Sequence, residues 1–191
     1  MRKVISFMHI SLDGFVAGPA GEMNWIKVDE ELFDHIGKRI GQTDTALYGR
    51  VTYDMMEGYW PDAGKEPDAS KHDREHSAWY KDAHKVVLSK TMKDADLPNT
   101  TIISDNIAAR INELKQSDGS EDILLFGSPT ATHALMQEGL IDGYWLFVNP
   151  VILGEGIPLF TKGKDKVKLK LVSTKQFASG VTELNYLVDA Q

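Results

Sequence analysis

Hydrophobic and polar positions alternate along this chain in two periods, and together they predict strands that alternate with helices. Short apolar runs rich in β-branched residues predict buried strands. These runs lie at residues 4–10, 45–48, 85–89, 100–103, 122–126 and 144–148. Apolar residues at helical spacing predict helices at residues 29–40, from the 49–52 turn through Met56, from 107 to near Gly119, and from the 127–130 turn to about Gln137. This alternation is typical of an α/β protein with a mostly parallel sheet.

The last part of the chain changes to a period of two. Between residues 166 and 171, lysines alternate with valine and leucine, which predicts a strand with one solvent-facing side. Residues 182–188 alternate in the same way, and Gly180 precedes them. We expect these two strands to pair antiparallel. The predicted fold is therefore α/β, with a mostly parallel central sheet and an antiparallel C-terminal hairpin.

Residues 58–82 show the least periodicity and carry many charges, so we expect the least regular structure there. Within them, His72 and His76 are four positions apart and would share one face if the segment were helical. Such a pair can bind a metal ion. The charged surroundings instead favour a solvated surface, and we predict no metal site.

The composition narrows the classes of function. The chain has 191 residues, no cysteine and a formal net charge of −7. This length suits one domain spanning residues 1–191, with a core that needs no disulfides. The lack of cysteine excludes thiolate zinc sites and a cysteine nucleophile, and it fits a reducing compartment.

The negative charge argues against a nucleic-acid partner, and the apolar runs are too short for a signal peptide or a membrane span. We expect a cytoplasmic protein with a small-molecule substrate.

Three predicted strands end in small or glycine-rich turns that open helices, at residues 48–52, 88–91 and 126–130. The carboxyl ends of parallel strands form the ligand crevice of an open α/β sheet. Helix N-termini at that edge suit phosphate, and the Arg50 guanidinium could bind one. One ligand with several phosphates would satisfy all three turns, whereas ordinary turn geometry is the alternative interpretation of each. No turn contains a Gly-x-Gly-x-x-Gly fingerprint or a P-loop, so an ordinary Rossmann domain or NTPase is not supported.

The segment at residues 11–21, here called the 11–21 loop, contains three glycines and a proline. Glycine hinges are typical of a lid that closes over a reacting centre, although a plain surface connection is the alternative. Asp13 within the loop either caps the turn or takes part in the reaction.

Three segments resemble the dihydrofolate reductase superfamily, most closely the branch that includes the C-terminal reductase domain of bacterial riboflavin-biosynthesis deaminase–reductases. They are Ser-Leu-Asp-Gly-Phe-Val-Ala at residues 11–17, Gly-Arg-Val-Thr at 49–52, and Gly-Leu-Ile-Asp at 139–142 with the run at 149–160. The resemblance implies a dihydrofolate-reductase-like three-layer sandwich and a stand-alone NADPH-dependent reductase.

The resemblance also implies which residues hold NADPH. They are Gly49, Arg50 and Thr52 for the pyrophosphate and 2′-phosphate, Ser89 and Lys90 for the adenosine phosphate, Gly127, Ser128, Thr130 and Ala131 for the phosphates near nicotinamide, and Val16 and Ala17 for the edge of the nicotinamide ring.

The implied reaction is hydride transfer to a small heterocyclic or carbonyl acceptor, either a pyrimidine- or pterin-like ring or a carbonyl compound. Reduction of 5-amino-6-(5-phosphoribosylamino)uracil in riboflavin biosynthesis falls in this class. Riboflavin reductases, however, usually have an acidic residue and two glycines where this chain has Phe126, Gly127 and Ser128. A dihydrofolate reductase and a non-catalytic NADPH-binding protein are the alternatives.

Two carboxylates are the candidate catalytic proton donors. Asp13 lies in the 11–21 loop, and Glu30 follows Trp25 by five positions, as a carboxylate on the first helix does in dihydrofolate reductases. The alternative for Glu30 is that it only stabilises the helix N-terminus through its dipole.

The resemblance further implies a homodimer, because close relatives in this branch tend to be dimers. The apolar strand at residues 144–148 is a candidate interface. Burial of the same strand between helices is the equally favoured alternative.

Overall fold

The structure is a computed structural model that describes residues 1–92, 97–119, 121–161 and 166–189. The described strands are β1 (Val4–Ser11), β2 (Phe15–Ala17), β3 (Thr45–Gly49), β4 (His84–Leu88), β5 (Thr100–Ile103), β6 (Ile123–Phe126), β7 (Gly143–Asn149), β8 (Ile157–Pro158), β9 (Leu169–Gln176) and β10 (Thr182–Val188). The described helices are α1 (Glu30–Ile40), α2 (Arg50–Glu57), α3 (Trp60–Ala63), α4 (Lys71–Asp82), α5 (Ile107–Gln116) and α6 (Pro129–Gln137). None of them is long and apolar enough to cross a membrane.

Eight of the described strands form one sheet in the order β5-β4-β3-β6-β1-β7-β10-β9. The strands from β5 to β7 are parallel to their neighbours, whereas β10 runs antiparallel to both β7 and β9. Helices α5 and α6 cover one face of the sheet, and α1, α2 and α4 cover the other. The predicted α/β sandwich of three layers, with a mostly parallel sheet and a closing hairpin, is confirmed.

Helix α1 shows how the sequence builds one outer layer. Leu32, Ile36 and Ile40 recur every four residues and are buried against the sheet. The Asp29 side chain accepts a hydrogen bond from the Leu32 amide at 2.8 Å, so it caps the helix as its position predicts. This cap fixes where the chain that follows the 11–21 loop joins the helical layer.

The prediction of irregular structure at residues 58–82 is wrong, because the segment contains α3 and α4. Ser70 and Asp73 form a capping box, in which each side chain accepts a hydrogen bond from the other residue's amide. The buried side of α4 carries His76, Ser77 and Tyr80. This face is polar in composition, so hydrophobic periodicity did not reveal the helix.

The C-terminal hairpin forms, but its outer strand differs from the prediction. Strand β9 begins at Leu169, and its apolar side chains Leu169, Leu171 and Val172 are all exposed. A strand with one buried face is therefore wrong here, because β9 is the edge of the sheet and no described helix covers it.

Strand β7, the candidate dimer interface, lies inside the sheet between β1 and β10. Trp145 and Phe147 are fully buried, and Tyr144 and Leu146 nearly so. The alternative of burial between layers is therefore the correct one, and β7 offers no surface to a second chain.

Candidate active site

A cleft of about 830 Å³ opens at the carboxyl ends of β4, β3, β6 and β1, and it is called the cleft below. These strands are consecutive in the sheet, so the turns that follow them line one continuous edge. Every residue expected to contact NADPH lines this cleft: Val16, Ala17, Gly49, Arg50, Thr52, Ser89, Lys90, Gly127, Ser128, Thr130 and Ala131. The structure thus brings together residues that are dispersed along more than half of the chain.

Gly49 ends β3 and lies closely against the neighbouring turn. Its amide donates a hydrogen bond to the Ser128 hydroxyl at 2.8 Å. A Cβ at this position would lie 3.4 Å from the Cβ atoms of both Ala131 and Ser128. Glycine therefore lets the β3 and β6 turns pack against each other, and the hydrogen bond couples them.

Gly127 and Ser128 both adopt left-handed backbone conformations, with φ of 50° and 56°. Glycine tolerates this region, whereas serine is strained there by roughly 1–2 kcal/mol. The bond from the Gly49 amide offsets part of that strain. Pro129 then starts α6, where its missing amide hydrogen costs nothing.

Two cations lie at the turns that follow β3 and β4. Arg50 begins α2 and is half exposed, and its guanidinium donates to the Asp54 carboxylate at 3.0 Å. Lys90 is exposed in the turn after β4. The preceding Ser89 hydroxyl accepts hydrogen bonds from the Thr91 and Met92 amides, so it shapes this turn.

The 11–21 loop is held over the edge of the sheet by short strand pairing. Strand β2 pairs antiparallel with β8. Gly156, just before β8, lies so close to Ala17 that a Cβ would be 2.2 Å from the Ala17 carbonyl oxygen. The pairing orients the Val16 and Ala17 backbone along the rim of the cleft.

Asp13 ties the start of this loop to the turn at residues 153–154. Its carboxylate accepts hydrogen bonds from the Leu153 amide at 3.1 Å, from the Gly154 amide at 2.8 Å and from the Ser11 hydroxyl at 2.7 Å. The Ser11 hydrogen bond, followed by those from the two amides, lowers the pKa of Asp13 below its ordinary value. The side chain is exposed and does not line the cleft.

Glu30 is also outside the cleft lining, as an exposed residue in the first turn of α1. It lies directly after the N-cap residue Asp29, where a negative charge interacts favourably with the helix dipole. The structure therefore brings neither candidate proton donor to the cleft, and a catalytic role for Asp13 or Glu30 stays a prediction.

His9 also lines the cleft, although the sequence did not mark it as a site residue. His9 stacks on Phe147 with a centroid separation of 5.2 Å, and burial lowers its pKa to about 4. A polar residue inside the apolar run of β1 was the available signal. The strand pattern alone did not show that the side chain faces a ligand site.

His72 and His76 lie on α4, away from the cleft lining, and contact Trp60. The His76 and Trp60 rings are 3.9 Å apart, and burial lowers the pKa of His76 to about 3. The expected solvated surface is therefore wrong for His76, which packs inside an aromatic cluster. Within the described ranges, no group of three or more histidine, aspartate or glutamate side chains is placed to hold a metal ion.

Comparison with known proteins agrees with this architecture. The uncharacterized protein YyaP of Bacillus subtilis (strain 168) is 35% identical over 188 residues, which are 97% of this chain and 94% of that protein. A pyrimidine reductase-like protein of Corynebacterium diphtheriae superposes with a TM-score of 0.68 at 16% identity, covering 100% of this chain and 93% of that one.

A longer protein of Thermotoga maritima is similar over part of its length. It is a diaminohydroxyphosphoribosylaminopyrimidine deaminase/5-amino-6-(5-phosphoribosylamino)uracil reductase, with a TM-score of 0.67 and 14% identity. The match covers 98% of this chain and 57% of that one. The family model described as the RibD C-terminal domain matches residues 2–182. This chain therefore belongs to the RibD C-terminal domain family.

Proposed function

We propose that this protein is an NADPH-dependent reductase that transfers hydride to a small heterocyclic or carbonyl acceptor. One observation carries the proposal: all residues expected to contact NADPH line the same cleft, at the carboxyl ends of adjacent parallel strands. Membership of a family named after a riboflavin-biosynthesis reductase supports the oxidoreductase class.

The residues of the cleft fit a dinucleotide with several phosphates. The α2 and α6 N-termini present backbone amides to the cleft, and glycines at 49 and 127 permit close approach of a ligand. Arg50 and Lys90 add positive charge on the turns after β3 and β4. A 2′-phosphate at Arg50 would distinguish NADPH from NADH.

When bound, NADPH supplies the hydride, and the chain binds, orients and shields the reacting groups. Val16 and Ala17 form the rim that would border the nicotinamide ring, and the β2–β8 pairing holds that rim in place. The lining is mainly apolar and includes Phe7, Met23 and Phe126. An apolar site of this kind excludes water from the place where the hydride is transferred.

In the first experiment the purified protein is titrated with NADPH and with NADH, and binding is measured by calorimetry and by tryptophan fluorescence. We expect saturable binding of NADPH that is at least about tenfold tighter than binding of NADH, because a charge-assisted contact to the 2′-phosphate contributes about 1.5–3 kcal/mol. The protein should then be screened for NADPH oxidation with carbonyls, pterins and 5-amino-6-(5-phosphoribosylamino)uracil. Failure to bind either nucleotide would overturn the proposal.

A second candidate function is binding of NADPH without turnover. It is favoured by the position of Asp13 and Glu30, since neither candidate proton donor lines the cleft. Tight NADPH binding without oxidation across the acceptor screen would support this alternative.

A further inference from the structure

The end of the cleft at β1 differs chemically from the end at the turns after β4, β3 and β6, which are called the cofactor turns below. Strand β6 stops at Phe126, which pairs with Phe7 of β1, so β1 continues beyond it and carries His9 past the β6 turn. His9 is on the face of β1 that also carries Ile5 and Phe7, because side chains alternate along a strand. Ile5 packs in the core beneath α1. His9 therefore lies beside the cofactor turns, on the α1 side of the sheet.

The imidazole of His9 is held by aromatic contacts. It stacks on Phe147 at 5.2 Å and meets the edge of Phe7 at 6.0 Å. Its Nδ1 is buried and has no hydrogen-bond partner among the described residues. An unpartnered polar atom on a residue that lines a cleft indicates a group that a ligand completes. Burial keeps the ring neutral near pH 7, so it offers one donor and one acceptor.

The rings that contact His9 are apolar. Met23 and Ile26 line the same cleft and belong to the chain segment between β1 and α1. The cations among the described lining residues are Arg50 and Lys90, on the turns after β3 and β4. At about 4.8 Å between neighbouring strands, these turns follow strands roughly 10 and 14 Å from β1. A phosphate beside His9 would lose hydration, and the described lining places no cation on β1 or on the segment that follows it.

We propose that His9 hydrogen-bonds the hydride acceptor, and that this acceptor is an uncharged planar ring or carbonyl compound without a phosphate. This inference rests on the proposed reductase function and narrows the chemical class of the acceptor that the reductase would use. It separates this protein from reductases whose pyrimidine substrate carries a ribose phosphate, although the fold is shared.

The test uses the full chain saturated with NADP⁺, so that an acceptor binds without being reduced. Two matched pairs of probes are titrated by calorimetry. One pair is 5-amino-6-(5-phosphoribosylamino)uracil and its dephosphorylated form, and the other is 4-formylbenzoate and the uncharged 4-nitrobenzaldehyde. We expect the uncharged member to bind at least about tenfold more tightly, because the anion loses its hydration in the apolar site. Equal or tighter binding of the anion, or no binding of either uncharged probe, overturns the assignment.

The role of His9 is tested with His9→Phe, which keeps the ring packing and removes both nitrogens. We expect the affinity for NADP⁺ to stay within about twofold, while affinity for the uncharged probes falls about tenfold. His9→Gln restores a donor and an acceptor and should recover part of the loss; it also provides the comparison if His9→Phe folds poorly. Unchanged probe binding in His9→Phe would refute the assignment. Failure of the wild-type protein to bind NADP⁺ would instead refute the proposed function.

Discussion

We expect the side chain of Arg50 to decide whether the protein distinguishes NADPH from NADH. Its guanidinium begins α2 and also donates to Asp54, one turn later. Both side chains are half exposed, so the pair itself contributes little to stability. A bound 2′-phosphate would compete with Asp54 for the same guanidinium.

Replacing Arg50 with alanine should therefore weaken NADPH binding about tenfold or more and leave NADH binding nearly unchanged. Asp54→Asn should strengthen NADPH binding, because the guanidinium loses its competing partner. Calorimetric titrations with both nucleotides measure these effects. Arg110→Ala is the matched control, since Arg110 is on α5 and pairs with Glu113 away from the cleft lining. Equal weakening of NADPH and NADH in Arg50→Ala would exclude a 2′-phosphate contact.

Asp13 illustrates how a residue selected as a proton donor can have a positioning role. Its carboxylate binds two amides of the 153–154 turn, so Asp13→Ala should lower the melting temperature and loosen the 11–21 loop. The lowered pKa of Asp13 means that this contribution is present above its ordinary titration range and is lost as pH falls through the lowered pKa. Thermal melts at pH 7 and under acidic conditions would measure both effects.

If Asp13 only positions the loop, Asp13→Ala and Glu30→Gln should each leave the saturated turnover rate with an identified acceptor within about tenfold of wild type. Loss of two to four orders of magnitude in either variant would instead identify a direct proton donor. Pre-steady-state reduction of the acceptor distinguishes the chemical step from loop motion.

At the scale of elements, the short β2–β8 pairing carries the rim of the cleft. Two glycines near β8 test this role as a matched pair. Gly156 has a φ of 154° and would place a Cβ 2.2 Å from the Ala17 carbonyl oxygen, whereas Gly154 has a φ of 79° and open space around it.

Gly156→Ala should separate β2 from β8 and increase hydrogen exchange at residues 15–17. NADPH binding should weaken by several-fold, because the rim formed by Val16 and Ala17 is displaced while the cofactor turns keep their positions. Gly154→Ala should cost only the strain of a left-handed backbone, roughly 1–2 kcal/mol of unfolding free energy. Equal exchange at residues 15–17 in the two variants would contradict a specific role for the close contact.

At the scale of the whole molecule, two buried histidines couple stability to pH. The pKa of His76 is lowered to about 3 and that of His9 to about 4, in both cases mainly by burial. The unfolded chain would protonate both near pH 6.5, so it binds more protons than the folded protein below that pH. The free energy of unfolding should therefore fall between pH 6.5 and about 4.

His76→Phe should flatten this dependence, by up to about 1.4 kcal/mol per pH unit in the same interval. Urea unfolding at several pH values from 4.5 to 7 measures the slope. His84→Gln, at an exposed position, should change the slope less. An unchanged slope in His76→Phe would show that the ring is accessible to protons in the folded state.

The exposed apolar side chains of the edge strand β9 make it the surface on which we expect the homodimer, in place of the buried β7. An uncovered sheet edge with apolar side chains is favourable for self-association. Leu171→Lys should shift the protein towards monomer in equilibrium sedimentation at micromolar concentration, whereas Lys170→Ser should not. A wild-type protein that sediments only as monomer would contradict the dimer.

Much of the fold and most of the candidate site could be predicted from the sequence. The hydrophobic periods of strands and helices, like the Asp29 helix cap, depend on residues that are close in sequence. The predicted alternation of strands and helices was correct for this reason. The cofactor turns could be grouped because the carboxyl ends of parallel strands share one edge of the sheet. The polar buried face of α4 lacked a hydrophobic signal, and its capping box was the one local signature that could have revealed it.

The sequence by itself determined the order of elements, the positions of the glycine-rich turns and the likeness to a reductase family, because each depends on local residue patterns. Only the tertiary structure decided which side chains enter the cleft. His9 faces it because β1 extends past β6 and packs beside Phe147, whereas Asp13 turns away to bind amides at residues 153–154. These outcomes depend on strand register and on contacts between distant segments, and a local pattern of residues does not specify either.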